Sequence, residues 1–120
     1  MLIAVNAERV KAGCAPVRSD LILTRVAQAH SDDMATRGYF DHSNPDGLDS
    51  SDRIEAAGYD ADGNNENLST YATPETAVKS WMSGGGHREA ILDCAHQDAG
   101  IGFAKDSDGE ELWTLDLAHR

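Results

Sequence analysis

The chain has 120 residues and a formal net charge of -11. A length of that order buries about two thirds of its unfolded surface, enough for one domain over residues 1–120 with one core and one cleft. The negative balance argues against nucleic acid or an anionic membrane surface as partner, since both attract basic patches.

No apolar run approaches the roughly 20 residues of a transmembrane span. Residues 1–5 are too short for the core of a signal peptide, so an exported form would have lost its signal before this sequence begins. Leu2, Ile3, Ala7 and Val10 share one face of a predicted helix that Gly13 ends. Ser19 or Asp20 caps a second helix, with Leu23, Val26, Ala27, His30 and Met34 at i, i+3, i+4, i+7 and i+11 and Gly38 as its stop. His30 lies on that apolar stripe and reads as a core histidine donating to a neighbour. Asp52 with Glu55 three residues on forms a capping pattern for a short helix through Ile54 and Ala57. Thr73-Pro74 opens another, with Val78, Trp81 and Met82 facing inward.

Residues 99–104 alternate glycine with Ile101 and Phe103. Residues 112–117 put Trp113, Leu115 and Leu117 opposite Thr114 and Asp116, and Asp108-Gly109 supplies the turn between the two strands. Both tryptophans are expected in the core. A third strand near residues 67–71 would complete a small antiparallel sheet between helices, an α+β arrangement. The carboxylates at Asp60, Asp62, Asp106, Asp108, Glu110 and Glu111 fall mostly in turns and read as a solvated surface.

Three loop-like segments each hold an ionisable residue among turn formers. They are Phe40-Asp41-His42-Ser43-Asn44-Pro45-Asp46-Gly47, Asn65-Glu66-Asn67-Leu68, and Ser83-Gly84-Gly85-Gly86-His87-Arg88. Two histidines and a carboxylate arriving from three loops form a minimum set for a divalent ion, with a position left open for water. Cys14 and Cys94 lack the spacing of a zinc ribbon or a redox pair, which leaves two buried thiols or one disulfide.

Taken in order, these segments resemble the CAP superfamily, also called SCP-like or pathogenesis-related-1, and most of all its small secreted bacterial branch. The resemblance rests on Asn6-Ala7-Glu8-Arg9, Ala29-His30-Ser31-Asp32-Asp33-Met34-Ala35, the His42 loop, Glu66-Asn67-Leu68, Gly86-His87-Arg88 and Gly100-Ile101-Gly102. It implies an α-β-α sandwich with about three strands, a secreted or extracytoplasmic location and a disulfide between Cys14 and Cys94. It also implies a cavity of two histidines and two acidic residues, which carries over to His42, Glu66 and His87. Asp46 is the nearest carboxylate to the fourth position, where the family has a glutamate. Asn65 stands where the family has glycine and would have to tolerate a positive φ.

The expected function is a non-enzymatic cleft that binds a divalent cation or a small ligand, lipids included. Zinc is the first expectation, with magnesium and calcium as alternatives. The rival readings are a metal-dependent hydrolase using the same residues and an interaction scaffold whose cleft is structural. No HExxH helix or GxSxG elbow supports hydrolysis.

Overall fold

The computed structural model describes residues Met1 to Arg120, with five helices and four strands. In order these are α1 (Leu2–Lys11), β1 (Arg18–Ser19), α2 (Leu21–Arg37), α3 (Ser50–Ala56), β2 (Gly63–Ser69), α4 (Pro74–Trp81), α5 (Gly85–Ile91), β3 (Asp98–Lys105) and β4 (Glu111–His119). The strand order is β1-β3-β4-β2, four strands where about three were expected. The three longer strands are antiparallel. The addition is β1, two residues lying parallel to β3, too short to carry any periodic signal.

Register gives the sheet two faces, because successive side chains alternate. Ala99, Leu115 and Leu117 form the main core with Val5 of α1, Val78 and Trp81 of α4 and Ile91 of α5. On the other face Thr114 Oγ1 and Ser31 Oγ of α2 share a hydrogen bond at 2.8 Å, and Ile54 of α3 packs with Leu23, Val26 and Ala118. Helices on both faces make the sandwich. The contact with α2 is close because two glycines allow it: a methyl group at Gly100 or Gly102 would overlap the backbone of Leu23 or Ala27.

The expected stripe on α2 is the one the helix buries, between an Asp20 cap accepting from Leu23 N at 3.0 Å and Gly38 at φ 71°. For α1 the expected face turns inward only at Leu2, which packs against the main core. Ile3 is 87% exposed and Val10 57%, while Val5 and Arg9 point inward. Polar chemistry sets this rotation. The buried Arg9 guanidinium donates to the carbonyls of Ala15, Ile91, Asp93 and His96 at 2.8–3.0 Å. Asn6 exchanges two hydrogen bonds with Val17.

The cap of α3 is Asp49 paired with Asp52, one turn before the expected Asp52 and Glu55 pattern. Trp81 is buried as expected, its Nε1 donating to Leu68 O at 2.9 Å. Trp113 is not in the core. It is half-buried and stacks on Phe103 with centroids 4.4 Å apart, because β4 runs past the end of the main core. A disulfide joins Cys14 to Cys94, tying the end of α1 to the segment after α5 across 80 residues. No helix is long and apolar enough to cross a membrane.

Candidate functional site

The His42 loop is built on Asn44, whose side-chain oxygen accepts from Asp46 N and Leu48 N at 3.0 Å each. Two bonds from the body of the protein fasten it: Arg53 Nη2 donates to His42 O at 2.6 Å and His30 Nε2 donates to Asp41 O at 2.8 Å. A carbonyl only accepts, so His30 carries its proton on Nε2. Burial then pushes the His30 pKa down, against the pull of Glu66. His30 is thus the donating core histidine that its position on the α2 stripe implied.

Glu66 lies on β2 with its side chain only 2% exposed. His42 Nδ1 donates to Glu66 Oε1 at 3.1 Å, while Arg53 Nη1 and Nη2 grip Oε2 and Oε1 at 3.1 and 3.2 Å. Burial alone would raise the Glu66 pKa. The hydrogen bonds from His42, Asp116 and Arg53 outweigh it and bring the value down to about 2. The same bond raises the pKa of His42, against partial desolvation. With Nδ1 spent on Glu66, Nε2 is the ring nitrogen left over in a His42 side chain that is 52% exposed.

Beneath this pair lies Asp116, opposite Glu66 in the β2–β4 register and wholly buried. No donor reaches either of its oxygens. An ionised carboxylate there would face desolvation and the charge of Glu66 together, and the two effects raise its pKa well above the ordinary range, burial being the larger. Both effects favour the protonated acid at Asp116, whose hydroxyl is the group available to face the Glu66 carboxylate.

His87 sits in the first turn of α5, which follows its cap Gly84 at φ 147° and opens on Gly85 at φ 69°. Its side chain is exposed, and its backbone carbonyl accepts from Asn67 Nδ2 of β2 at 3.0 Å. Asn67 is paired with Leu115, on the main-core face, whereas Glu66 is paired with Asp116 on the α2 face. The His42 and His87 segments therefore reach β2, an edge strand, from opposite faces of the sheet.

Of the four expected cavity residues, His42 and Glu66 are in direct contact. His87 is anchored one residue along the same strand, and Asp46 is drawn away to Arg37, with Oδ2 3.0 Å from Nη2. Nowhere do three His, Cys, Asp or Glu groups gather as a ready metal cage. His42 and His87 are the two imidazoles among the expected residues, and they approach β2 from opposite faces of the sheet. The residues present do not fit a closed set of protein ligands, because Glu66 is already saturated. Asn65 needs no positive φ: only glycines have one, and its Oδ1 accepts from the buried His96 Nε2 at 2.7 Å.

Two members of the cluster escaped the sequence reading. Asp116 did carry a signal, an acid in the middle of the apolar run Leu115-Asp116-Leu117-Ala118. Arg53 carried none, since an arginine in a short helix is ordinarily solvated.

The sequence pattern described as the Cysteine-rich secretory protein family, CAP, matches residues 2–117. The chain belongs to the CAP family. It is 36% identical over 110 residues to the uncharacterized protein YkwD of Bacillus subtilis, covering 91% of this chain and 42% of that protein. It is 33% identical over 103 residues to the uncharacterized membrane protein YlbC of the same organism, covering 85% and 30%. The chain thus spans less than half the length of either relative. Among solved structures, an outer surface protein from Borrelia burgdorferi superposes with a TM-score of 0.91 at 18% identity, over 99% of this chain and 89% of that one. An extracellular SCP-domain protein from Bacillus anthracis superposes with a TM-score of 0.83 at 23% identity, over 97% and 38%. At those identities the structural likeness speaks for the fold.

Proposed function

We propose that this CAP domain is an extracytoplasmic, non-enzymatic binding module whose cleft takes a divalent metal ion of the zinc class, or a small ligand, between His42 and His87. The observation that carries this reading is the hydrogen bond from His42 Nδ1 to the buried Glu66. A histidine held in this way by a carboxylate keeps a lone pair on Nε2 and has its ring orientation set, the outer-sphere arrangement that supports metal-binding imidazoles. Glu66 acts behind His42, His87 supplies the second imidazole, and water completes the sphere. The metal, when bound, would act as a Lewis acid. A disulfide-bridged domain suits an oxidising compartment.

The same His42–Glu66 pair could serve as a general base, but neither serine close to it in sequence is presented as a nucleophile. Neither Ser43 nor Ser69 has a hydroxyl hydrogen bond to His42 or Glu66, and Ser69 Oγ accepts from Tyr71 N. Titration calorimetry with Zn²⁺ at pH 7.5 and 5.5, on the parent and on His42→Ala and His87→Ala, tests the reading. Affinity should fall by about tenfold or more in each variant and should weaken at pH 5.5 in the parent, because protons compete for imidazole. Equal binding by all three proteins would place the ion elsewhere. Chelator-sensitive turnover of an ester or peptide would replace the binding reading with a hydrolytic one.

A further inference from the structure

An aromatic surface lies away from the histidine cleft, at the hairpin end of the sheet. Phe103 and Trp113 are direct partners in the β3–β4 register, and their rings stack 4.4 Å apart with planes tilted by 33°. Phe103 is 37% exposed, and nearby Tyr71 is 53% exposed. Rings left this open are usually mobile. Here the indole of Trp113 and the backbone of Phe103 are held by hydrogen bonds. Trp113 Nε1 donates to Tyr71 O at 2.8 Å. Gln28 of α2 clasps the Phe103 backbone from both sides, accepting from its N–H at 3.1 Å and donating to its carbonyl at 2.7 Å. That clasp also fills the outward hydrogen-bonding groups of β3 at this point, so an added strand cannot pair there and the ring faces are what remains for a partner. A platform held rigid in advance loses little entropy on binding.

Charge decides what suits it. The next register pair on the same face is Lys105 with Glu111, and the turn between the strands adds Asp106, Asp108 and Glu110. Four carboxylates therefore rim the platform against one ammonium, on a chain of net charge -11. Anionic partners are repelled, whereas cationic side chains gain twice, from the carboxylates and from the faces of Trp and Phe.

We propose that the Phe103–Trp113 platform, with Tyr71 and the acidic turn at its edge, docks a segment rich in Lys and Arg on a partner protein. Arginine and lysine stems lie across the stacked rings, and their charged ends reach Asp108, Glu110 and Glu111.

Binding of a Lys-Arg octapeptide, followed by tryptophan fluorescence and calorimetry at about 50 mM salt, tests this, with a Glu octapeptide and an N-acetylglucosamine tetramer as comparators. The basic peptide should bind and both comparators should not. Phe103→Ser should weaken it about fivefold or more, as should Tyr71→Ser, which lies outside the helices and strands and keeps the test open if the first variant fails to fold. Asp108→Asn with Glu110→Gln should weaken it likewise. Asp60→Asn with Asp62→Asn should change Kd less than about twofold. Asp62 bonds to His119, six residues along β4 from Trp113 and so about 20 Å away. Equal losses from the two acidic pairs, or no loss from either aromatic variant, would reduce the effect to general charge attraction and overturn the proposal. Failure of the basic peptide to bind would overturn it too, as would tetramer binding lost in Phe103→Ser, which would mark a glycan surface.

Discussion

Asp116→Asn isolates the buried proton beneath the cleft. The parent carboxyl is wholly buried, has no donor for either oxygen and faces Glu66 across the β2–β4 register. Its pKa is raised in the native state by burial first and by the Glu66 charge second. A raised acid of this kind contributes most stability below the unfolded aspartate value of about 3.9 and loses it as pH rises towards the native value. In that window the native state holds one proton that the unfolded state has released. This single group therefore lowers unfolding free energy by about 1.4 kcal/mol per pH unit. Asparagine has nearly the same shape, cannot ionise, and donates to Glu66 through its amide. The variant should match the parent within about 1 kcal/mol at pH 3.5. Above about pH 4 it should gain on the parent with the slope just given, until native Asp116 ionises. Glu66, held down to about 2, adds an opposite slope only below about pH 5, where the unfolded glutamate takes up its proton, so the difference above that pH reports Asp116. Urea unfolding at half-unit steps from pH 3.5 to 8, with the m-value checked for constancy, measures the curve. A difference that stays flat from pH 4 to 7 would mean that Asp116 is ionised in the native protein, and the protonated-carboxyl account would be wrong.

Glu66→Gln should cost about 3 kcal/mol in the same assay, because it leaves the Arg53 guanidinium without its counter-charge in a site where it is largely buried. Thiol titration of denatured, unreduced protein should find no reactive cysteine, and Cys14→Ser with Cys94→Ser should lower stability by up to about 4.5 kcal/mol, the chain-entropy figure for an 80-residue loop. Two reactive thiols would remove the bridge. Trp81→Ala should cost about 3–5 kcal/mol as a large-to-small core change, and Trp113→Ala distinctly less, since its indole is only half-buried. Equal losses would return Trp113 to the core.

What was legible in the sequence was local. The α2 stripe, its Asp20 and Gly38 ends and the Thr73-Pro74 start of α4 each depend on a few neighbouring residues, and the structure keeps them. The resemblance to the CAP family lay in short ordered motifs, and it carried the sandwich and the cysteine pair. What failed depended on partners far along the chain. The rotation of α1 is set by carbonyls 82 to 87 residues away from Arg9, so its apolar periodicity named the inward face only at Leu2. Trp113 and Asp116 alternate in the sequence as core and solvent would. Yet β4 is covered on both faces over most of its length, so Asp116 is buried while Trp113, near the hairpin, lies half in solvent. Likewise His42, Glu66 and His87 could be named from their motifs, but their roles could not. Arg53 saturates Glu66, burial beside Glu66 favours a neutral Asp116, and Arg37 takes Asp46 out of the group. Such pairings follow from register and helix packing, which bring distant charges together in a low-dielectric interior where each must find its own counter-charge or stay neutral.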